Sequence, residues 1–148
     1  MDEKIKNFIN KQTCANVCCV DEKGHPYCYT CFYSFEIDEM LLHYKSSNET
    51  HHSVLLLRNP FVAGTILPDA LNVMQIKGIQ FEGLILPFDH SHTKNAISHF
   101  HKKHPIALAM PGEIWTIKLT SVKLTDNTLG FGKKLIWQRE ETETHHSH

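Results

Sequence analysis

The run at residues 73–86 constrains the fold more than any other segment. It is long, β-branched and aromatic, and it carries glycine at 78 and 83. Glycines inside a strand mark bulges or sharp bends. A second long run, 113–124, alternates: Ile114, Thr116, Lys118 and Thr120 stand against Trp115, Ile117 and Leu119. Alternation places the two sets on opposite faces of one strand. Long strands with glycine bends favour a small barrel over a flat sheet.

The rest of the chain supplies short strands and helices. Residues 2–12 read as an amphipathic helix with Ile5, Phe8 and Ile9 on one side. Strands are expected at 14–20, 25–37, 40–44, 61–67 and 128–137. Tight turns fall at 21–24, 38–39 and 125–127. A helix opens at Thr50 and stops at Asn59-Pro60. Another spans 93–103, with Ala96, Ile97 and Phe100 facing inward, and ends at His104-Pro105. Tight turns between strands make the sheet largely antiparallel. The expected class is mainly β with short helices.

With 148 residues the chain fits one domain, taken here as 1–138. The tail, 139–148, is polar, His-rich and expected to be disordered. Fifteen basic and sixteen acidic residues leave a formal charge of -1, which excludes an electrostatic nucleic-acid binder. No apolar run approaches the ~20 residues of a membrane span. Met1-Asp2-Glu3-Lys4 is not a secretory signal. A soluble cytoplasmic protein is the expectation.

All five cysteines lie within the first 31 residues. Cys28 and Cys31 form a C-x-x-C, but on a strand rather than at a helix start. Residues three apart on a strand point to opposite faces, so this pair does not close a disulfide or share a metal. Twelve histidines raise the question of a metal. In the inner group of His90, His92, His99 and His101, the last two stand about 200° apart around a helix. Solvated flanking histidines account for them, and no metal site is assigned.

The segment 44–60 has the clearest ligand chemistry. With Thr50 as N-cap, the amides of His51, His52 and Ser53 begin the helix unpaired. Unpaired amides and the positive end of the dipole suit an anion. Ser46, Ser47, Thr50, His51 and His52 surround that point, a set suited to a phosphate monoester. An ordinary polar loop before an amphipathic helix is the competing reading.

The order of these pieces carries a resemblance. It runs from Ala15-Asn16-Val17 through Gly24-His25-Pro26-Tyr27 to Ser46-Ser47. The Thr50-His51-His52 helix, Asn59-Pro60-Phe61 and Ile76-Lys77-Gly78-Ile79-Gln80 follow. Over about residues 4–137 the chain resembles the pyridoxamine 5′-phosphate oxidase-related, FMN-binding split-barrel proteins. It looks closest to a small bacterial branch ending much as 124–134 does here. The resemblance implies a six-stranded antiparallel Greek-key split barrel, a homodimer with flavin sites at the interface, and FMN as cofactor. It places the flavin phosphate on Ser46, Ser47, Thr50, His51 and His52. The backbone at Thr30, Cys31 and Phe32 would line the flavin ring, and Gln80 would contact it. His51 and His52 stand where the family has an Arg-Lys pair. The substrate-phosphate residues of the vitamin oxidase have no counterpart here.

The function implied is an FMN-binding flavoprotein, an oxidoreductase moving two electrons to or from a small-molecule substrate. The alternatives are a non-catalytic flavin- or haem-binding split-barrel module, or a metal-binding or purely structural dimer whose site has decayed. No catalytic acid or base is assigned; Tyr29, Tyr33 and Trp137 are candidates to wall the site. Trp115, Trp137 and the 73–86 strand are expected to supply apolar dimer surface.

Overall fold

A computed structural model describes residues 3–130 and 133–140. Helix α1 (Glu3–Lys11) precedes strands β1 (Cys14–Val20), β2 (Pro26–Glu36) and β3 (Leu41–Ser46). Helix α2 (His51–Arg58) leads to β4 (Phe61–Ile66) and β5 (Lys77–Ile85). Helix α3 (Ala96–Lys103) and a 3-10 turn (Pro105–Ala109) lead to β6 (Glu113–Asp126), and β7 (Lys134–Gln138) ends the chain. Every pairing is antiparallel, in the order β3-β2-β1-β4-β5-β6-β7. A further β3–β6 ladder closes six strands into a barrel, and β7 extends the edge of β6. The order β4-β1-β2-β3 is a Greek key. The expected six-stranded split barrel is the fold observed.

Alternation fills the barrel. Ala15, Val17 and Cys19 of β1 point inward, as do Tyr33 and Phe35 of β2 and Leu42 and Tyr44 of β3. On β6 the inward set changes parity, from Trp115, Ile117 and Leu119 to Val122 and Leu124. The cause is a bulge: Glu82 faces Ser121, but Gly83 faces Leu119, so Thr120 is the extra residue. Gly83 fits because a Cβ there would meet Lys118 O at 2.6 Å. Gly64 is closer still, pressed between the Phe81 ring and Asn16 O.

Several expectations change. β5 begins at Lys77, not at 73; Val73 and Met74 are 93% and 82% exposed on the β4–β5 loop. β6 continues through Asp126, whose carboxylate accepts from Thr128 N–H and starts a 3-10 turn. The last strand therefore begins at Lys134 rather than at 128. Ile97 of α3 is exposed, while Ala96 and Phe100 pack inward. Trp115 is buried in the core and so is not surface, while Trp137 packs against the core and stays partly exposed. Arg139 is still tied to the barrel, through Leu119 O and Glu39 O; the remainder of the expected tail, 141–148, lies outside the described residues. No described helix is long and apolar enough to cross a membrane.

Candidate functional site

Helix α2 starts as its sequence dictates. Thr50 is extended (φ -65°, ψ 155°), its hydroxyl accepts Ser53 N–H, and its carbonyl accepts Val54 N–H. The amides of His51 and His52 have no partner among the described residues. Asn59 N–H closes the last turn on Leu55 O ahead of Pro60.

Three side chains meet at this open end. His52 Nε2 lies 2.8 Å from Ser46 Oγ and 3.1 Å from Thr50 Oγ1, and the two hydroxyls are 3.5 Å apart. The His52 ring stacks on Tyr29, whose hydroxyl meets Tyr44 Oη at 2.8 Å. Burial holds His52 below the ordinary imidazole pKa, and His51 beside it acts in the same direction. Burial likewise pushes the Tyr29 phenol up. The centre of the cluster is therefore a neutral ring between two hydroxyls.

The other expected phosphate ligands divide. Ser47 Oγ accepts Glu49 N–H, and Ser47 O accepts from Ser53 Oγ, so this residue shapes the turn. His51 sits edge-on over Tyr27 and reaches the field of Asp21. The structure thus joins Ser46, Thr50 and His52 and points His51 elsewhere. Lys45, next in sequence to Ser46, donates to Ala107 O and lies 3.0 Å from His101 Nε2.

The expected ring-lining residues lie on β2 and β5. Thr30 and Phe32 face outward; Cys31 faces inward, packs against the core, and has its thiol pushed up to about 12 by burial. Gln80 is on the outer face, in register with Thr65, Asn16 and Thr30 across three ladders. It lines a groove of about 490 Å³ with Cys18, Thr65, Glu82 and Lys123. The barrel wall separates this row from the Ser46–Thr50–His52 cluster, because Tyr29 carries His52 on the inward side.

One polar network went unforeseen. His43, with no exposed surface, lies 3.0 Å from Glu36 Oε1 through Nε2 and 2.9 Å from Thr116 Oγ1 through Nδ1. A carboxylate only accepts, so Nε2 carries the proton and Nδ1 accepts from Thr116. Its ring meets the His99 ring at 5.3 Å, and His99 Nδ1 lies 2.9 Å from Ser34 Oγ. Burial lowers the His43 pKa despite Glu36. Residues 34, 36, 43, 99 and 116 come together only through strand register and α3, so no local motif announces them. Among the described residues no group of three or more His, Cys, Asp or Glu side chains could hold a metal.

No protein-family model matches the chain. A UPF0306 protein of Photorhabdus laumondii is 40% identical over 113 residues, 76% of this chain and 79% of that protein. A UPF0306 protein of Serratia proteamaculans is 34% identical over 93% of this chain and 94% of its own length. Among solved structures, a heme binding protein from Mycobacterium smegmatis superposes with a TM-score of 0.78 at 11% identity. The match covers 92% of this chain and 57% of that one, so this chain spans little more than half of that protein. A heme storage protein from Vibrio cholerae gives 0.61 at 14% identity, covering 93% of each chain. A pyridoxamine 5′-phosphate oxidase-related, FMN binding protein from Nostoc punctiforme gives 0.64 at 10% identity, covering 93% of this chain and 86% of the other. At these identities the likeness is one of fold.

Proposed function

The chain belongs to the UPF0306 family, and from that premise and the geometry of α2 we propose that it binds FMN. The observation that carries the reading is the meeting of Ser46 Oγ, Thr50 Oγ1 and His52 Nε2 at the open N-terminus of α2. Two hydroxyls, a ring nitrogen and two free amides form a donor set suited to a phosphate monoester. His52 starts neutral, so a bound dianion would draw a proton onto its ring. The backbone of 30–32 lies one residue from Tyr29 and would border the flavin ring. The Nostoc punctiforme neighbour, described as FMN binding, lends the reading its cofactor.

Gln80 is separated from this cluster by the barrel wall. In our reading it reaches the flavin of a second copy, in a homodimer with flavin sites at the interface. Exposed apolar side chains agree with an association: Leu71, Val73 and Met74 on the β4–β5 loop, and Ile106, Leu108 and Met110 after α3. A bound flavin supplies two-electron transfer to or from a small molecule, and the chain supplies its position.

The test is the visible spectrum of protein purified without added cofactor, followed by titration with FMN. Flavin bands, or quenching of FMN fluorescence by the colourless protein, support the reading. A Soret band assigns the barrel to haem instead, the ligand named for the Mycobacterium smegmatis and Vibrio cholerae neighbours. Protein that is colourless and leaves FMN fluorescence unchanged overturns it.

A further inference from the structure

Strands β1 and β2 pair with Asp21 N–H on His25 O at one end and Tyr33 N–H on Thr13 O at the other. These bonds fix the phase of the ladder: the odd-numbered pairs are the hydrogen-bonded ones. Cys18 and Cys28 are directly opposed and even-numbered. They therefore form a non-hydrogen-bonded pair, the class in which Cα atoms lie about 4.5 Å apart and side chains come closest. A disulfide needs a Cα separation of about 4.4–6.8 Å.

Both side chains project from the outer face, since Val17 and Cys19 point into the core. Cys28 is exposed and Cys18 half-buried. Burial pushes the Cys18 thiol up, and the Cys28 thiol beside it pushes further the same way. No other pairing of the five cysteines competes. Cys19 is buried, its thiol on Tyr27 O, and Cys31 faces inward. Cys14 is on the outer face but four residues from Cys18, about 13 Å along the strand.

We propose that Cys18 and Cys28 form a dithiol site for exchange with small disulfides such as oxidised glutathione. Cys28, the exposed member, loses its proton to solvent and attacks one sulfur of the disulfide. That S–S bond breaks, one glutathione leaves as a thiolate, and Cys28 carries the other in a mixed disulfide. Cys18 then loses its proton and attacks the Cys28 sulfur, expelling the second glutathione. The protein gives up two electrons and two protons; the glutathione disulfide takes up both and becomes two thiols. The cross-strand bond ties β1 to β2 beside the groove that Cys18 lines. This site rests on strand register; Cys18 shares its groove with Gln80, and the exchange itself needs no flavin.

The test incubates the full chain with oxidised glutathione, alkylates the remaining thiols and measures mass. The expected product is a monomeric chain with three of its five cysteines alkylated. Proteolysis should then give the fragment bearing Cys18 joined to that bearing Cys28. Cys18→Ser should stop at one glutathione on Cys28, and Cys14→Ser and Cys31→Ser should still close the bond. Five alkylated cysteines after oxidation, a bond joining other cysteines, a bond between two copies, or no adduct on the Cys18→Ser chain would each overturn the proposal.

Discussion

The imidazole of His52 lies flat on the ring of Tyr29, centroids 3.8 Å apart and planes 10° from parallel. The Tyr29 hydroxyl meets that of Tyr44, which is itself in the core, so the stack is anchored to the barrel. Anchoring holds Nε2 at Ser46 and Thr50. His51, one residue earlier, projects about 100° away around the helix and rests on Tyr27. Two adjacent histidines thus have different surroundings.

Their substitutions should separate. We predict that His52→Ala weakens FMN binding by about 1–3 kcal/mol, the cost of a charged hydrogen bond, and that Ser46→Ala weakens it by about 1 kcal/mol. His51→Ala should leave the affinity within about twofold, since a hydrogen bond is not at stake. Riboflavin, which lacks the phosphate, should distinguish none of the variants. Fluorescence quenching measures all of these affinities. Equal loss from His51→Ala and His52→Ala would remove His52 from its assigned role.

FMN affinity should fall as pH rises through the neutral range. Free His52 titrates below 6.5, because burial disfavours its charged form. Bound phosphate raises that pKa. Between the two values binding takes up a proton, so affinity drops as protons become scarce. Phosphate's own second ionisation, near ~6, opposes this at the acidic end. Titrations from pH 6 to 8 should show the fall for wild type and a flatter profile for His52→Gln.

His43 should make stability depend on pH in the opposite sense. Its folded pKa lies below 6.5, with burial as the main cause. Below that ordinary value the unfolded chain binds a proton that the folded chain refuses, so stability falls with pH. The contribution is complete above about 6.5 and is lost as pH drops through the lower, folded value. Denaturant midpoints at pH 5 and 7.5 should differ more for wild type than for His43→Gln. The variant should also be less stable at pH 7.5 by about 1–3 kcal/mol, because Glu36 and Thr116 lose their shared partner.

Gly64 carries a packing demand of its own. A Cβ there would collide with the Phe81 ring and with Asn16 O, and the second is backbone that cannot swing aside. Gly64→Ala should cost about 1–3 kcal/mol, the range for overpacking a well-filled site. Thermal unfolding should show the loss, and Phe81→Leu should recover only part of it.

Local chemistry was legible where one segment settles its own structure. The Thr50 cap, the Asn59-Pro60 stop and the Asp21–Gly24 turn follow from residues next to each other. The 73–76 stretch reads as strand because Val73 and Ile76 are good strand formers. Yet the β5–β6 ladder ends at Lys77, and only Ile76 O finds a partner beyond it, in Asn127 N–H. The last strand was misplaced because Asp126 caps its own turn, so β6 runs through the expected boundary. The site was half legible: Ser46, Thr50 and His52 are close in sequence. The Tyr29 stack, the placement of Gln80 and the Cys18–Cys28 pair depend on register. The C-x-x-C spacing draws attention to Cys31, whereas the hairpin turn pairs Cys28 with Cys18.

Strand β6 is shared by three ladders, meeting β3 through its first half, β5 along most of its length, and β7 near its end. Leu41 pairs with Glu36 across the β2–β3 turn, but its second neighbour, Lys118, comes 77 positions later. During synthesis β1 to β5 emerge as a sheet with two open edges, and nothing can zip them together until β6, Glu113–Asp126, has been made. Folding dominated by such distant pairings is slow, and open strand edges are sticky while it lasts. The vulnerable moment in the life of this protein therefore falls on the ribosome, before residue 126 has left the tunnel.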